Sequence, residues 1–467
     1  MASNAIHDSL EARISSDCPD KTREILLHAW SHDLSGLKPL LDAPGQASGQ
    51  DPTTGETPLH AAVRACGHPS ENQPPADGDE KEEELCVQEA KDTIHELFLW
   101  GAIWNDVDNH NETPGCVAWR MNRPELYKLC VEAGVRAELL FGLMGDYEEL
   151  SSGPDEEDVI LEDGVILEEQ NGASANGVEA HSTEPRVEGE VSGESKRFEP
   201  PKTEDDKQVT SEEYLKSALT YSEDKLVDDV GNAVMMAWET DIMRRSVESL
   251  LPGKDAGKRI LNIGLGMGII DSMFADTKPA RHHIIEAHPA VIEHLSKPDA
   301  KFGNSWENSG PSEGAFKVHK GRWQDIVSTL LEQGEVYDAI YFDTFGEDYS
   351  QLKLFFTEYV PALLDQHGRF GFFNGLGADR RICYDVYTQV AEMHLSDAGL
   401  DVEWDDIAVD MSGLKEAGKG EWEGVRRRYW TLDSEYTHAQ GCGIAGTGLT
   451  HCRVPSPNLC IHGIETC

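Results

Sequence analysis

The segment that most restricts the fold is residues 259–271, where a predicted strand runs through closely spaced glycines into a predicted helix. Glycine lets the backbone turn sharply and approach a ligand at the sheet edge where α/β proteins bind cofactors. The glycines stand at 264, 266 and 268, and Ile269 occupies the position where a dinucleotide fingerprint needs its last glycine. The spacing therefore argues against a pyrophosphate and suits a ligand without phosphate, such as S-adenosylmethionine (SAM).

Strand and helix patterns alternate on both sides of this turn, from residue 210 to about residue 433. The predicted strands are KRILNIG, HHIIEAH, VYDAIYFDTF and GRFGFFNG, each followed by a helix-compatible or loop stretch. Such alternation indicates a doubly wound, mostly parallel sheet of the α/β class. LDVEWDDIAVD and RRRYWTLD are predicted to add antiparallel strands at its edge. We therefore expect a Rossmann-like, class I SAM-dependent methyltransferase domain over 210–433.

The preceding residues 1–145 have a helical pattern with a repeat signature. Thr57–Ala62 resembles the TPLHxA motif of ankyrin repeats, in which Thr and His tie down a tight turn. A looser copy begins at Thr113, 56 residues later, so the polar segment 68–84 is predicted to be an inserted, disordered loop. We predict an all-α, ankyrin-like repeat domain over 1–145. A helical domain that only supports its neighbour stays the alternative.

Two further segments have compositions unsuited to a packed core. Residues 146–209 are rich in Glu, Asp, Gly and Ser, which predicts a disordered acidic linker. Residues 434–467 hold four cysteines and three histidines without CxxC spacing, so we expect an atypical, disordered tail rather than a zinc site. His282, His283 and His288 also lack a carboxylate or thiol at ligand spacing. We expect no metal.

The charge balance bears on the partners of the chain. Lys and Arg number 40 against 86 Asp and Glu, a net charge of −46. This field repels a phosphate backbone, so it disfavours direct nucleic-acid binding and favours a basic protein partner. The first residues lack the basic start and apolar core of a signal peptide, and no run approaches the roughly 18 apolar residues of a membrane span. We expect no membrane association, and a location in cytoplasm and nucleus.

The residues after the glycine turn suggest how a cofactor would be bound. Glu286 ends the second predicted strand, 18 residues after Gly268, where a carboxylate can accept hydrogen bonds from both ribose hydroxyls. After the next strand, Trp323 offers a ring to cover the adenine, and Gln324 or Asp325 offers a polar contact. Each residue alone could belong to the core or the surface. Their order after the glycine turn favours a cofactor site.

A family resemblance extends this interpretation. The stretch VMMAWETDIM (Val234–Met243), followed by ILNIGLGMGI, IIEAHP, GRWQDI and IYFDTF, resembles the guanidinoacetate N-methyltransferase type of class I methyltransferase. With the ankyrin-like repeats, residues 50–433 are similar to the fungal protein arginine N-methyltransferase 2 group, the type IV arginine methyltransferases. The resemblance implies that a monomer transfers methyl from SAM to the δ-nitrogen of an arginine in a large-subunit ribosomal protein.

The resemblance also implies a set of cofactor contacts. These are Met235, Met243, Met267, Gly268, Ile269, Ile270, Asp271, Ser272, Glu286, Ala287, His288, Trp323, Gln324 and Asp343. An upstream aromatic residue is implied as well, with Tyr221 the first choice and Tyr214 the second. Two departures stand out. Asn262 replaces an acidic residue common in the first strand, and after Asp433 the chain no longer resembles the closing strand of the family.

Glu239 and Asp343 are the catalytic candidates. An arginine guanidinium is protonated, with a pKa above about 12, so the enzyme must bind the cation and help it lose a proton. A carboxylate can do both. The simpler alternatives are that Asp343 caps the next helix and that Glu239 is a solvated acid. Asp338, Glu347 and Asp348 are more simply explained as loop acids than as an acidic mouth.

Two other functions stay open from the sequence. One is a small-molecule guanidino methyltransferase. The other is an ankyrin-type adaptor whose methyltransferase fold is inactive.

Overall fold

The computed structural model describes residues 6–68, 79–145, 197–200, 209–253, 255–426, 428–432 and 438–446. An all-helical N-terminal part precedes an α/β part. The N-terminal helices are α1 (Leu10–Arg13), α2 (Asp20–Trp30), α3 (Leu34–Leu37), α4 (Pro58–Arg64), α5 (Asp79–Leu99), α6 (Pro114–Arg120) and α7 (Pro124–Gly145). Within the described ranges, no helix is both long enough and apolar enough to cross a membrane.

The turn chemistry predicted from the TPLHxA motif is present at the start of α4. The Thr57 hydroxyl accepts from the His60 backbone N–H, and Nδ1 of His60 lies 2.8 Å from that hydroxyl. The His60 Nε2 contacts the Glu112 carbonyl at 2.9 Å, which ties this turn to the next one. Thr113 caps α6 in the same way. The local prediction is confirmed, whereas the assignment to ankyrin repeats stays a prediction.

The predicted insertion is shorter than expected. Residues 79–84, which we predicted to be loop, form the first turns of α5, and residues 69–78 lie outside the described residues. Glu and Lys have high helix propensity, so a run of them extends a helix whose later turns have a buried face. That face is present in α5, where Ala90, Ile94 and Leu97 are fully buried.

A buried ion-pair network joins the N-terminal helices. Asp108 accepts from the guanidinium groups of Arg13 and Arg64, at 2.5 Å in both cases. Glu56 accepts from Arg13 Nε at 2.9 Å. All four side chains are at most 2% exposed. Because a buried charge is tolerated only when it is paired, these contacts fix how α1, α4 and the loop before α6 lie together.

The α/β part contains two sheets. A small antiparallel sheet is formed by β1 (Leu219–Tyr221), β2 (Lys225–Asp228) and β3 (Ala233–Met236). The large sheet has strands β4 (Arg259–Ile263), β5 (Arg281–Glu286), β6 (Phe316–Lys320), β7 (Tyr337–Phe342), β8 (Leu364–Phe372), β9 (Asp401–Ala408) and β10 (His438–Gly446). The helices are α8 (Ser211–Lys216), α9 (Thr240–Leu250), α10 (Ile269–Asp276), α11 (Pro289–Leu295), α12 (Asn304–Glu307), α13 (Trp323–Glu332), α14 (Tyr349–Leu354), α15 (Val360–Leu363) and α16 (Arg381–Asp397).

The strand order of the large sheet is β6-β5-β4-β7-β8-β10-β9. Strands β4 to β8 pair in parallel, and β10 pairs antiparallel with both β8 and β9. The carboxyl ends of β4, β5 and β7 therefore meet at one edge. This is where α/β folds with a central switch in strand order bind ligands. The predicted doubly wound fold is confirmed.

The far edge of the sheet differs from the sequence-based prediction. We predicted that residues 426–433 form the last strand, but the described residues 428–432 are not a strand. Trp430 and Leu432 are instead buried in an aromatic cluster with Trp422. The partner of β9 is β10, within the predicted tail, because β8 and β9 both leave backbone groups at their edges that an intervening strand satisfies. Residues 447–467 lie outside the described residues, and the domain boundaries themselves stay predictions.

The helical part and the α/β part share one core. Ile382, Val386 and Val390 of α16 are buried among the side chains of the N-terminal helices. The Tyr127 hydroxyl of α7 donates to Asp385 Oδ2 at 2.6 Å. Of the predicted linker, residues 197–200 and residue 209 are described, and Phe198 lies against Gly55. The N-terminal helices thus support α16.

Candidate active site

A cavity of about 280 Å³ opens at the sheet edge where β4, β5 and β7 end. Much of its wall comes from four places: the glycine turn after β4, the end of β5, the loop 343–348 after β7, and the segment 233–239, which comprises β3 and the residues after it. Tyr214 of α8, Trp323 of α13 and Tyr429 also line it. The cavity thus combines the predicted cofactor region with the segment that carries Glu239.

The turn after β4 requires glycine because of its backbone conformation and because of close packing at residue 264. Gly264, Gly266 and Gly268 all have positive φ, at 97°, 54° and 69°. A Cβ on residue 264 would lie 1.8 Å from the carbonyl oxygen of Asp343, so no side chain fits there. The backbone N–H of Met267 donates to the Met235 sulfur at 3.2 Å, which holds the turn against β3.

A chain of hydrogen bonds between buried side chains supports this turn on its core side. The Asn262 amide donates to the Gly264 carbonyl and to Asp271 Oδ2, both at 2.8 Å. Asp271 Oδ1 lies 2.9 Å from His282 Nε2. All three polar side chains are fully buried. Asn262 therefore positions the turn, and the Asp271 carboxylate is directed into the core.

Glu286 stands where the sequence predicts a ribose ligand. Its Oε2 accepts from the backbone N–H groups of Leu265 at 3.0 Å and Gly266 at 3.4 Å, and Oε1 accepts from the His288 N–H at 2.6 Å. Burial raises the pKa of this carboxyl. At 3.4 Å the Gly266 contact is weak, so the carboxylate on the cavity wall keeps lone pairs that can accept from ribose hydroxyls. The residues therefore fit the ribose of SAM.

Trp323 lines the cavity and is held rigidly. Its ring packs against Phe342, Phe355 and Tyr359, and its N–H donates to Glu347 Oε1 at 3.1 Å. Gln324, also predicted to contact the cofactor, instead donates to Gln351 at 3.0 Å. An aromatic wall is thus present. The neighbouring Gln324 amide also contacts Glu347 of the cavity wall at 3.4 Å, although Gln324 is not itself a lining residue.

Glu239 and Asp343 both face the cavity. Glu239 Oε2 accepts from the Met236 N–H at 2.9 Å, and Oε1 accepts from the Tyr429 hydroxyl at 2.5 Å. Burial and the charge of Asp343 raise the pKa of Glu239 to about 8. Burial raises the pKa of Asp343 to about 7. The Asp343 carboxylate lines the cavity and has no hydrogen-bond partner among the described residues, so a ligand in the cavity can pair with it.

The acidic residues near the cavity differ in their surroundings. Asp348 rather than Asp343 caps α14, and its side chain accepts from the Ser350 N–H. Glu239 is 5% exposed, so it is not a solvated acid. Asp338 forms an ion pair with Arg259 at 2.9 Å and is not among the cavity residues. Glu347 and Asp348, which we interpreted as loop acids, do line the cavity.

The predicted site residues, taken together, fall into three groups according to where they lie. Those that line the cavity are Met235, Glu239, Glu286, Ala287, Trp323 and Asp343. Those that line a smaller hollow on the other side of Gly266 are Tyr221, Met267 and Gly268. Those that line neither are Met243, Ile269, Ile270, Asp271, Ser272, His288 and Gln324. The cofactor roles of all these residues stay predictions.

The upstream aromatic residue at the cavity is the second choice of the sequence, Tyr214. Its ring lies 5.0 Å from Phe345 and 4.6 Å from His288, and its carbonyl contacts the His288 ring at 2.9 Å. Tyr221 instead stacks on His294 at 4.4 Å. Loose alignment in this region left the choice between the two tyrosines open.

Sequence reasoning did not find Tyr429. It follows a basic run that we interpreted as an edge strand, and no local motif identifies it as a cavity residue. Only the packing of residues 428–432 against the segment around Trp238 brings its hydroxyl to Glu239.

No metal site accompanies the cavity in the part of the chain that the structure describes. No group of three or more His, Cys, Asp or Glu side chains is arranged there to hold an ion. His282 and His283 make separate contacts, with Asp271 and with Tyr337. Most of the cysteine- and histidine-containing tail lies outside the described residues.

Comparison with known proteins gives a consistent result. Residues 204–397 match the family model described as guanidinoacetate N-methyltransferase. The chain is 64% identical to protein arginine N-methyltransferase 2 of Gibberella zeae, over 92% of this chain and 94% of that protein. It is 61% identical to the protein of the same name from Neurospora crassa, over 92% and 97%.

A more distant relative and one solved structure complete the comparison. Protein arginine N-methyltransferase 2 of Saccharomyces cerevisiae is 34% identical, over 84% of each chain. Among solved structures, a putative SAM-dependent methyltransferase from Streptococcus mutans superposes with a TM-score of 0.31 and 11% identity, over 49% of this chain and 55% of that chain. The family of this chain is therefore assigned from the sequence relatives and not from the solved structure.

Proposed function

Because this chain belongs to the protein arginine N-methyltransferase 2 family, we propose that it transfers a methyl group from SAM to an arginine of a basic protein. The observation that carries the proposal is a single cavity in which Glu239 and Asp343 lie beside the glycine turn and Glu286. Donor and acceptor groups would therefore be held at the same sheet edge.

The donor side of the cavity is formed by residues that suit SAM. Glu286 would accept hydrogen bonds from the ribose, and Trp323 and Ala287 would form the wall beside the adenine. SAM supplies an already activated methyl group when it is bound. The chain therefore has to orient the acceptor and remove a proton from it.

Asp343 and Glu239 can perform these tasks. A guanidinium pairs well with carboxylates, and its positive charge favours their ionised forms. Asp343, with a pKa of about 7 and no partner among the described residues, suits the role of proton acceptor at neutral pH. Glu239, held by the Met236 N–H and the Tyr429 hydroxyl, suits the role of anchor for the cation.

We further propose that the acceptor is the δ-nitrogen of an arginine in a large-subunit ribosomal protein. This rests on the family resemblance, and a physical argument supports it. A carboxylate that engages both terminal nitrogens in a bidentate pair occupies them and leaves the internal nitrogen exposed. Ribosomal proteins are basic, which suits a chain with a net charge of −46.

The test is to incubate ribosomal proteins with labelled SAM and to fragment the labelled peptides so that δ- and ω-methylarginine are distinguished. We expect δ-methylarginine from the wild type. Asp343→Asn and Glu239→Gln should both give no label, and Glu239→Gln should still bind SAM normally. Asp338→Asn is the matched control, since it removes a carboxylate from the opposite end of the same strand and should retain labelling.

Other outcomes would replace the proposal. Methyl transfer to guanidinoacetate but to no protein would indicate a small-molecule enzyme. Absence of SAM binding would indicate an adaptor. Normal labelling by both carboxylate variants would remove the assignment of the acceptor site.

A further inference from the structure

Tyr429 contacts Glu239 in the proposed acceptor site, and its own surroundings show what that contact does. Its hydroxyl donates to Glu239 Oε1 at 2.5 Å, and the residue forms part of the cavity wall. Its ring stacks on Trp238, with centroids 6.0 Å apart and planes at 29°, and meets Trp422 edge-on at 5.1 Å. The ring therefore has little freedom to move its hydroxyl away from the carboxylate.

The segment around Tyr429 is anchored at both ends. The Arg426 N–H donates to the Gly231 carbonyl at 2.8 Å, and the Thr431 N–H donates to the Ala378 carbonyl at 3.0 Å. Between them, Trp430 is fully buried. Two different loops of the α/β part thus fix the tyrosine over Glu239, which is what a preorganised site requires.

The surroundings of Glu239 show what the hydroxyl contributes. The titratable groups that affect this carboxyl are Asp343 and Tyr429, and no basic side chain of the described residues contributes. Burial and Asp343 raise the pKa of Glu239, whereas the Tyr429 hydroxyl and the Met236 N–H lower it. Burial and the charge of Glu239 raise the pKa of Tyr429 well above 10, so this tyrosine stays a donor at neutral pH.

We propose that Tyr429 is a positioning residue of the acceptor site, whose hydroxyl keeps the Glu239 carboxylate oriented and charged for an incoming guanidinium. This inference rests on the proposed function. Without the hydroxyl, Glu239 Oε1 would keep no donor in a buried site. The carboxyl would then hold its proton to higher pH and pair less well with a cation.

The test is the pH dependence of kcat/KM for Tyr429→Phe, with full-length protein, labelled SAM and ribosomal proteins as acceptor. We expect the rising limb of the profile to move to higher pH by about one unit, which lowers kcat/KM roughly tenfold at pH 7. The affinity for SAM should not change. Tyr337→Phe is the matched control because it removes another tyrosine hydroxyl that makes a buried hydrogen bond, to His283 at 2.8 Å, away from the cavity. Its profile should be that of the wild type.

A second measurement separates this role from a general structural one. The affinity for a basic peptide with a single arginine is measured in wild type, Tyr429→Phe, Glu239→Gln and the double variant. We expect Tyr429→Phe to weaken binding in the wild-type background but hardly at all in the Glu239→Gln background.

Equal losses in the two backgrounds, or an unshifted profile in Tyr429→Phe, would overturn the inference while the proposed function stands. A wild type that methylates no arginine would overturn both.

Discussion

The glycine turn gives the sharpest test of how this site is built, through Gly264→Ala. Two costs follow from the structure. At φ 97° a residue with a Cβ is strained, by about 1–2 kcal/mol. In addition, the new methyl group would lie 1.8 Å from the Asp343 carbonyl oxygen, so turn and loop must separate by more than 1 Å. Because Asp343 lines the cavity, this displacement acts on the acceptor site directly.

A misplacement of about 1 Å near reacting groups can cost on the order of 100-fold in rate. We therefore expect Gly264→Ala to lower kcat/KM by about that factor and to weaken SAM binding as well. The assays are labelled methyl transfer and equilibrium binding of SAM, together with urea unfolding to confirm that the variant is folded.

Gly257→Ala is the matched control for this experiment. Gly257 has a similar positive φ of 83° at the other end of β4, and a Cβ there would meet no atom within 4 Å. It should lose about 1–2 kcal/mol of stability and keep full activity. Equal activity and SAM affinity in the two variants would refute the idea that contact between the turn and Asp343 shapes the site.

Two further predictions concern stability. The pKa of Asp343 is raised from 3.8 to about 7 in the folded protein, so between these pH values the folded protein holds a proton that the unfolded chain loses. The contribution of this carboxyl to the free energy of unfolding is therefore full below about pH 4 and is lost as the pH rises to about 7. Asp343→Asn should flatten the fall in unfolding free energy between those pH values, measured by urea unfolding, and an unchanged slope would contradict the raised pKa. Asp108→Asn removes one of the two buried carboxylates that Arg13 and Arg64 share and leaves a buried positive charge uncompensated, so it should cost about 3–5 kcal/mol. Glu132→Gln, at the exposed pair with Lys128, should cost at most about 1 kcal/mol in the same assay, and equal losses would mean that the buried network is not what stabilises the helices.

The meeting of the glycine turn and the strand-end carboxylates at one cavity could be predicted because the signals are local. The glycine spacing, Glu286 at a strand end and Asp343 after another strand all follow from parallel strands that end at one edge. The cavity wall around Glu239 was only partly predicted. Glu239 was recognised by its motif, but its burial and its contact with Tyr429 depend on a segment far along the chain. Likewise, periodicity could not show that Asp271 is directed into the core, since Asn262 and His282 decide its orientation.

Sequence alone therefore determined the alternating α/β class, the turn that needs glycine and the carboxylates at the strand ends, because these depend on short-range backbone geometry and on hydrophobic periodicity. The tertiary structure decided which strand lies between β8 and β9, which tyrosine reaches Glu239 and which of two tyrosines borders the cavity. These choices depend on contacts between residues distant in sequence, where the packing of large aromatic side chains outweighs local preference.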